Sequence, residues 1–271
     1  PITYLFNLSL NSGKFPAKWK DTYVIPFFKT GNKADISNYR PITKASHIPK
    51  IFDKLVTNQL SPIIAPIICS PQHGFVKNKS TLTNLLIYKQ HITEALESHH
   101  QVDAVYTDFA KAFDRVPHNI LIAKLKALGI GPTMMRWIKS YLTDRYQTIL
   151  INNLVQSQPF HATSGVPQGG HLSPLLFICF INDIPDSLSM CDVLLFADDL
   201  KIYKTVQTIL DCVIIQNTLN NLQDWCHLNK MELNIKKCNT ISFYRIKNPI
   251  IYDYCINTVS YTHLTLPTTS R

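Results

Sequence analysis

The sequence predicts an α+β fold, and three features predict it. Helix-like and strand-like patterns are interleaved without the regular alternation that a parallel sheet demands. The run Val102 to Phe109 alternates as a strand does and carries an acid, Asp108, near its end. Two further apolar runs, Val193 to Ala197 and Leu200 to Tyr203, are separated by only two turn-prone residues, Asp198 and Asp199, which is a hairpin signal.

Each element follows from local pattern. Residues 1–50 interrupt apolar pieces such as Val24-Ile25 with Gly13-Lys14-Phe15-Pro16, Lys29-Thr30-Gly31-Asn32-Lys33 and Asn38-Tyr39-Arg40-Pro41. Short strands and loops are expected there. A helix is expected over Ser80–Ser98, with Ser80 as N-cap and Leu82, Leu85, Leu86, Ile92, Ala95 and Leu96 as its apolar face. The next strand sets Val102, Ala104, Tyr106 and Asp108 on one side. An acid ending an otherwise apolar face is a local inconsistency of the kind that marks function. A helix at 118–128 buries Leu121, Ile122, Leu125 and Leu128 and stops at Gly129. A second helix covers Thr133 to Leu142, and a short strand covers Thr148 to Ile151. Gly165 to Gly170 is a loop, after which Ser173-Pro174 opens a helix as N-cap and first helical residue. A helix over Ile209 to Cys226 and a strand over Thr240 to Tyr244 complete the pattern. Thr258 to Arg271 is rich in Thr and Ser and has no periodicity.

Composition narrows the class. With 271 residues, 45% hydrophobic and 17% charged, the chain has material for one large core or two smaller ones and does not resemble a disordered protein. The formal charge of +9 favours a polyanionic partner such as nucleic acid. Seven cysteines, an odd number with no CxxC pair, argue against a disulfide framework or a zinc site and suit a reducing compartment. The longest apolar run, Leu175 to Ile181, is far shorter than the roughly 20 residues that cross a bilayer. The chain begins at Pro1 and not at Met, so a fragment is expected.

The chemistry rests on three carboxylates. If the hairpin packs beside the strand of Asp108, then Asp108, Asp198 and Asp199 converge. Hard divalent cations prefer oxygen ligands, and Mg²⁺ is usually held by one or two carboxylates plus substrate phosphates. Two such ions about 3.5–4 Å apart serve in-line displacement at phosphorus. Taken singly, an Asp-Asp pair after an apolar run is more often an ordinary turn, and Asp108 a strand-end acid.

The surrounding words resemble a known family. Tyr106-Thr107-Asp108-Phe109-Ala110-Lys111-Ala112-Phe113-Asp114 looks like the first palm motif of non-LTR (LINE-type) retrotransposon reverse transcriptases. Ser164-Gly165-Val166-Pro167-Gln168-Gly169, then Leu172-Ser173-Pro174-Leu175-Leu176-Phe177 and Ile181-Asn182-Asp183, resemble the second. Phe196-Ala197-Asp198-Asp199 resembles the third, and Leu233-Asn234-Ile235-Lys236-Lys237-Cys238 the fourth. Gly13-Lys14-Phe15-Pro16 and Asn38-Tyr39-Arg40-Pro41-Ile42 resemble the fingers. The resemblance covers residues 5–245. It implies a right-hand polymerase fold: an antiparallel palm sheet with helices packed on one face, a fingers subdomain, and a thumb largely absent. The implied domains are fingers at 1–100, palm at 101–245 with 129–160 partly fingers or connection, and a truncated tail at 246–271. Val259 to Arg271 looks unlike the family, and a gene-model or assembly join is expected there.

The resemblance also implies roles. Asp108 and Asp198 would ligate two Mg²⁺ ions, which Mn²⁺ could replace, helped by Asp199 and the carbonyl of Phe109. Phe113 stands where the family keeps an aromatic steric gate against a ribose 2′-hydroxyl. Taken alone it would be a core aromatic. Gln168 would touch the incoming nucleotide, Gly165 and Gly169 would let the backbone approach it, and Lys29 and Arg40 would bind its triphosphate. Lys237 would protonate the pyrophosphate, with Lys236 beside it as the competing candidate. One departure is Gly170-His171, where many relatives have Ser after Pro-Gln-Gly. The implied partners are an RNA template, a DNA primer and deoxynucleoside triphosphates, with no membrane. Cytoplasm and nucleus are the expected compartments. Two other readings compete. An RNA-dependent RNA polymerase typically has Gly-Asp-Asp where this chain has Ala197-Asp198-Asp199, and it lacks an aromatic at the Phe113 position. A degenerate element would bind nucleic acid without turnover, yet all three acids are intact.

Overall fold

In chain order, the computed structural model comprises α1 (Ile2–Ser12), β1 (Thr22–Phe28), β2 (Tyr39–Lys44), α2 (His47–Ile64), α3 (Thr81–Glu97), β3 (Gln101–Thr107), α4 (Ala112–Arg115), α5 (His118–Ala127), α6 (Pro132–Leu142), β4 (Arg145–Ile151), β5 (Val155–Gln156), β6 (Phe160–Ala162), α7 (Leu172–Phe180), α8 (Ile184–Ser187), β7 (Asp192–Phe196), β8 (Asp199–Val206), α9 (Ile209–Leu228), β9 (Asn239–Phe243), β10 (Tyr254–Ile256), β11 (Val259–Tyr261) and β12 (His263–Thr265). The structure describes residues 1–152, 155–256, 259–261 and 263–265. The unlike tail expected at Val259–Arg271 therefore falls partly outside the described residues. The chain forms two compact units, one of residues 1–67 and 111–180 and one of residues 68–110 and 181–271. These units do not coincide with sequence blocks 1–100 and 101–245.

The first unit carries a mixed sheet in the order β2-β1-β4-β5, with β6 also on β4. β1 runs antiparallel to β2 and parallel to β4. The expectation of only strands and loops before residue 50 fails at α1. Gly13, which looks like a turn former, is the helix's left-handed cap at φ 65, and its N–H donates to Leu10 O. The helix α2, which the pattern also does not announce, sends Phe52 into an aromatic core. Phe52 stacks on Phe6 at 4.3 Å and meets Trp137 edge-on at 5.3 Å. Helix α7 is apolar all round and buried along almost its whole length, as such a helix must be. It starts at Leu172, one residue before the expected cap. Ser173 Oγ instead donates to Pro167 O at 2.7 Å. The cap comes from α2: Asp53 accepts from the backbone N–H of His171 at 2.5 Å and of Leu172 at 3.2 Å.

The second unit is built on a five-stranded sheet in the order β12-β9-β3-β8-β7. Its pairs are antiparallel except β12 with β9, which is parallel. Ser80 caps α3 as expected, in a reciprocal capping box with Thr83. The expected apolar face of α3 is corrected: Leu82, Leu85 and Leu86 are exposed, and the buried positions are Asn84, Tyr88 and Ala95. Tyr88 and Ala95 pack on Val102 and Ala104 of β3, so the strand's alternation is as expected. Buried Asn84 is tolerated because its amide donates to Leu195 O at 3.1 Å and accepts from Lys201 Nζ at 2.6 Å. On the opposite face of β3, buried Asp103 accepts from Tyr254 Oη at 2.8 Å and from Gln101 Nε2. Cys212 of α9 also lies there, close enough to Tyr254 to interact with it. The α+β class stands. The acidic hairpin also shifts. Phe196 pairs with Asp199, so the turn is Ala197-Asp198 and Asp199 begins β8.

Candidate active site

Strand register brings the acids together. β3 and β8 pair through Thr107 opposite Leu200. The ladder ends there, and Asp108 and Asp199 are the residues that adjoin its last pair. Partial burial, then the Asp108 charge, push Asp199 above the usual carboxylate range. Asp198 sits in the turn itself, half-buried. Lys237 Nζ reaches Asp108 Oδ2 at 3.0 Å in a largely exposed ion pair.

The segment after α9 holds the end of β3. Phe109 bridges Leu233 antiparallel, Ala110 N–H donates to Glu232 O at 2.8 Å, and Asn234 N–H donates to Asp108 O at 2.7 Å. The Phe109 ring is buried against Trp225. The turn of the acidic hairpin is held by residues that the sequence pattern does not single out. Pro71–Gly74 lies along β7: Leu195 N–H donates to Pro71 O, and His73 N–H donates to Leu195 O. Gln72 Oε1 accepts from the N–H of Gly74 at 2.7 Å and of Ala197 at 2.9 Å. Its only sequence signal is a polar residue two positions before Gly74. Among the described residues, no group of three or more His, Cys, Asp or Glu side chains forms a metal cage.

The remaining expected residues lie in the first unit. Val166 N–H donates to Phe113 O at 2.8 Å, which ties the Pro-Gln-Gly loop to the segment after β3. The Phe113 ring is half-buried and stacks on buried Phe177 at 4.4 Å. Gln168 Nε2 donates to Asp114 Oδ1 at 2.9 Å, while its carbonyl accepts from Thr43 N–H of β2. That bond lowers the Asp114 pKa, but burial outweighs it and holds Asp114 above the usual range. Gly165 has φ +86, and a Cβ there would lie 2.6 Å from Asp114 O. The close approach that makes it glycine is thus to the chain itself. Gly169, at φ +101, comes similarly near Thr43 O. His118, another residue without a sequence signal, donates from Nε2 to Gly165 O at 2.8 Å; burial pushes its pKa down. Lys29 and Arg40 lie on the exposed β1–β2 hairpin. Arg40 pairs with Phe27, and Lys29 N–H donates to Asn38 O.

A sheet with acids gathered at a hairpin and a neighbouring strand end defines a polymerase palm, and solved structures share the fold. Apo telomerase from Candida tropicalis, truncated from its C-terminal domain, superposes with TM-score 0.61 at 11% identity, covering 91% of this chain and 56% of that one. Telomerase from Candida albicans, in complex with a fragment of telomeric RNA, gives 0.59 at 12% identity, covering 93% and 48%. Residues 30–263 match the family described as reverse transcriptase (RNA-dependent DNA polymerase), and the chain belongs to that family. It is 30% identical over 247 residues to the probable RNA-directed DNA polymerase from transposon BS of Drosophila melanogaster, covering 87% of this chain and 27% of the relative. It is 30% identical over 254 residues to the RNA-directed DNA polymerase from mobile element jockey of the same species, covering 89% and 27%. A third relative is the Pol polyprotein from type-1 retrotransposable element R2 of Popillia japonica, 30% identical over 249 residues, covering 87% and 34%. The chain spans about a quarter to a third of these relatives' length. The resemblance to LINE-type reverse transcriptases is borne out, and the family match runs past residue 245 to residue 263. Among the described residues, no helix is long and apolar enough to cross a membrane.

Proposed function

We propose that this chain is the core of an RNA-directed DNA polymerase that transfers nucleotides from deoxynucleoside triphosphates to a primer 3′-hydroxyl on an RNA template. The observation that carries this reading is that Asp108 and Asp199 adjoin the last pair of the β3–β8 ladder, near enough for the Asp108 charge to act on Asp199, with Asp198 in the adjoining turn. The donor set fits hard divalent cations. Two crowded carboxylates, one with a raised proton affinity, gain most from a shared oxygen-seeking charge. Two Mg²⁺ ions, when bound, would activate the attacking hydroxyl and stabilise the leaving oxygen. Asp108 and Asp198 would ligate both ions, with Asp199 and the Phe109 carbonyl in support.

Lys237 would donate its Nζ proton to the departing pyrophosphate once Asp108 is engaged by cations. Phe113 would exclude a ribose 2′-hydroxyl, its ring fixed by Phe177. Gln168, Gly165 and Gly169 would face the nucleotide, and Lys29 and Arg40 its phosphates. We assign the fingers to residues 1–100, the palm to 101–245 and a divergent tail to 246–271. The excess of basic residues suits a nucleic-acid duplex. Work on host chromosomal DNA would take such an enzyme through cytoplasm and nucleus. The test is primer extension by the 271-residue chain on an RNA template with Mg²⁺ and deoxynucleotides. Extension is expected, with Asp198→Ala abolishing it. Extension that survives Asp198→Ala refutes the metal assignment.

A further inference from the structure

We propose that Gln72 is a positioning residue that holds the acidic hairpin in its metal-binding shape; this rests on the function proposed above. The turn has a conformational difficulty. Ala197, directly before Asp198, sits at φ 55, a left-handed backbone that residues with a Cβ adopt at a cost. Local sequence does not favour that geometry, because neither turn residue is Gly or Asn. Something else must hold it.

Gln72 does so from 125 residues away. Its side chain is 1% exposed. Its Oε1 accepts from the Ala197 N–H at 2.9 Å and the Gly74 N–H at 2.7 Å, and its Nε2 faces Ala197 O at 3.4 Å. One amide group thus grips both polar atoms of the left-handed residue. The neighbouring backbone lies too close for any side chain: a Cβ on Gly74 would be 2.2 Å from the Ala197 nitrogen. The strand before the turn is fixed in parallel, through Pro71 and His73 on Leu195. The carboxylates of Asp198 and Asp199 project from the residues immediately following this clamp. A buried polar side chain that binds both polar atoms of a strained residue beside the acids, and the Gly74 N–H next to it, would orient the ligands without touching the ions.

The test compares Gln72→Met, which keeps length and removes the acceptor, with Gln72→Glu, which keeps an accepting oxygen. Amide hydrogen exchange and titration with Mn²⁺ alone are measured on the whole chain, beside primer extension. In Gln72→Met the amides of Ala197 and Gly74 are expected to exchange about tenfold faster or more. The β3 and β8 amides should keep their protection, and Mn²⁺ should bind about tenfold more weakly. In Gln72→Glu both amides should stay protected. Adding Ala197→Gly to Gln72→Met should restore much of the Mn²⁺ affinity, because glycine adopts φ 55 freely. A merely structural role would not respond to that change.

Unchanged Ala197 protection and Mn²⁺ affinity in Gln72→Met would overturn the proposal. So would a loss spread over the whole sheet that Ala197→Gly leaves uncorrected. If Gln72→Met does not fold, loss of Ala197 protection in a folded Gln72→Glu also overturns it. Asp198→Ala keeps the two readings apart. Mn²⁺ binding and extension that survive Asp198→Ala sink the metal site, while the amide exchange of Gln72→Met still decides the clamp.

Discussion

Replacing Asp53 with alanine should be among the most destabilising single changes in the first unit. Its carboxylate is buried, with both oxygens occupied: Oδ2 by His171 N–H and Oδ1 by Leu172 N–H. Alanine strands the buried N–H of Leu172 and the part-buried N–H of His171 at the start of α7, each worth about 1–3 kcal/mol, so about 4 kcal/mol in all. At roughly 2–4 °C per kcal/mol for a domain of this size, the melting temperature should fall by about 10 °C. Asparagine keeps one acceptor and turns an NH2 toward the other N–H, so about half that loss is expected. The pH dependence has a definite sign. Burial raises the Asp53 pKa above its ordinary value, so the folded chain holds this proton more tightly than the unfolded chain. Its contribution is full below the unfolded carboxylate range, about pH 4, and is lost as pH rises through the folded value. The melting-temperature gap between wild type and Asp53→Asn should therefore narrow as pH rises from 4. Calorimetry across pH measures it. A loss under about 3 °C for Asp53→Ala, or a gap that widens with pH, would refute the reasoning.

Two further outcomes are expected. Gly165→Ala places a side chain at φ +86 and drives Cβ to 2.6 Å from Asp114 O, so a cost above about 2 kcal/mol is expected from chemical denaturation. A cost below about 0.5 kcal/mol would mean the loop yields freely. Phe113→Val should keep deoxynucleotide extension while raising ribonucleotide incorporation at least about tenfold, since the excluded hydroxyl gains room. Unchanged discrimination in single-nucleotide extension would remove Phe113 from the gate role.

What the sequence displays follows from which interactions are local. The Ser80 cap, the α5 stripe of Leu121 and Leu125 and the β3 alternation all depend on neighbours within a few residues, and all emerge as expected. The three acids are equally legible, because the motif words that carry them are contiguous. Errors arise where distant chain decides. Asn84 takes the buried face of α3, leaving Leu82, Leu85 and Leu86 outside, because Leu195 and Lys201 satisfy it across the sheet. Ser173 does not cap α7, because Asp53 of another helix already accepts from the N–H groups at its start. The one-residue shift of the acidic turn reflects the register with β8, together with a grip on Ala197 from Gln72.

The same asymmetry bears on how the site is built. Each acid-bearing segment ends a strand, where the ladder alone would leave backbone groups unpaired and the carboxylates loosely aimed. In both places, chain remote in sequence extends the pairing. Residues 232–234 continue the sheet alongside Asp108–Ala110, and Pro71–Gly74 runs beside Leu195–Ala197. Two like charges, Asp108 and Asp199, are thereby kept at adjacent strand ends, with Lys237 paired to Asp108. Such preorganisation has an energetic direction. On the metal assignment proposed above, the cost of gathering like charges is met in folding, and a divalent cation would recover the attraction without first having to assemble its ligands.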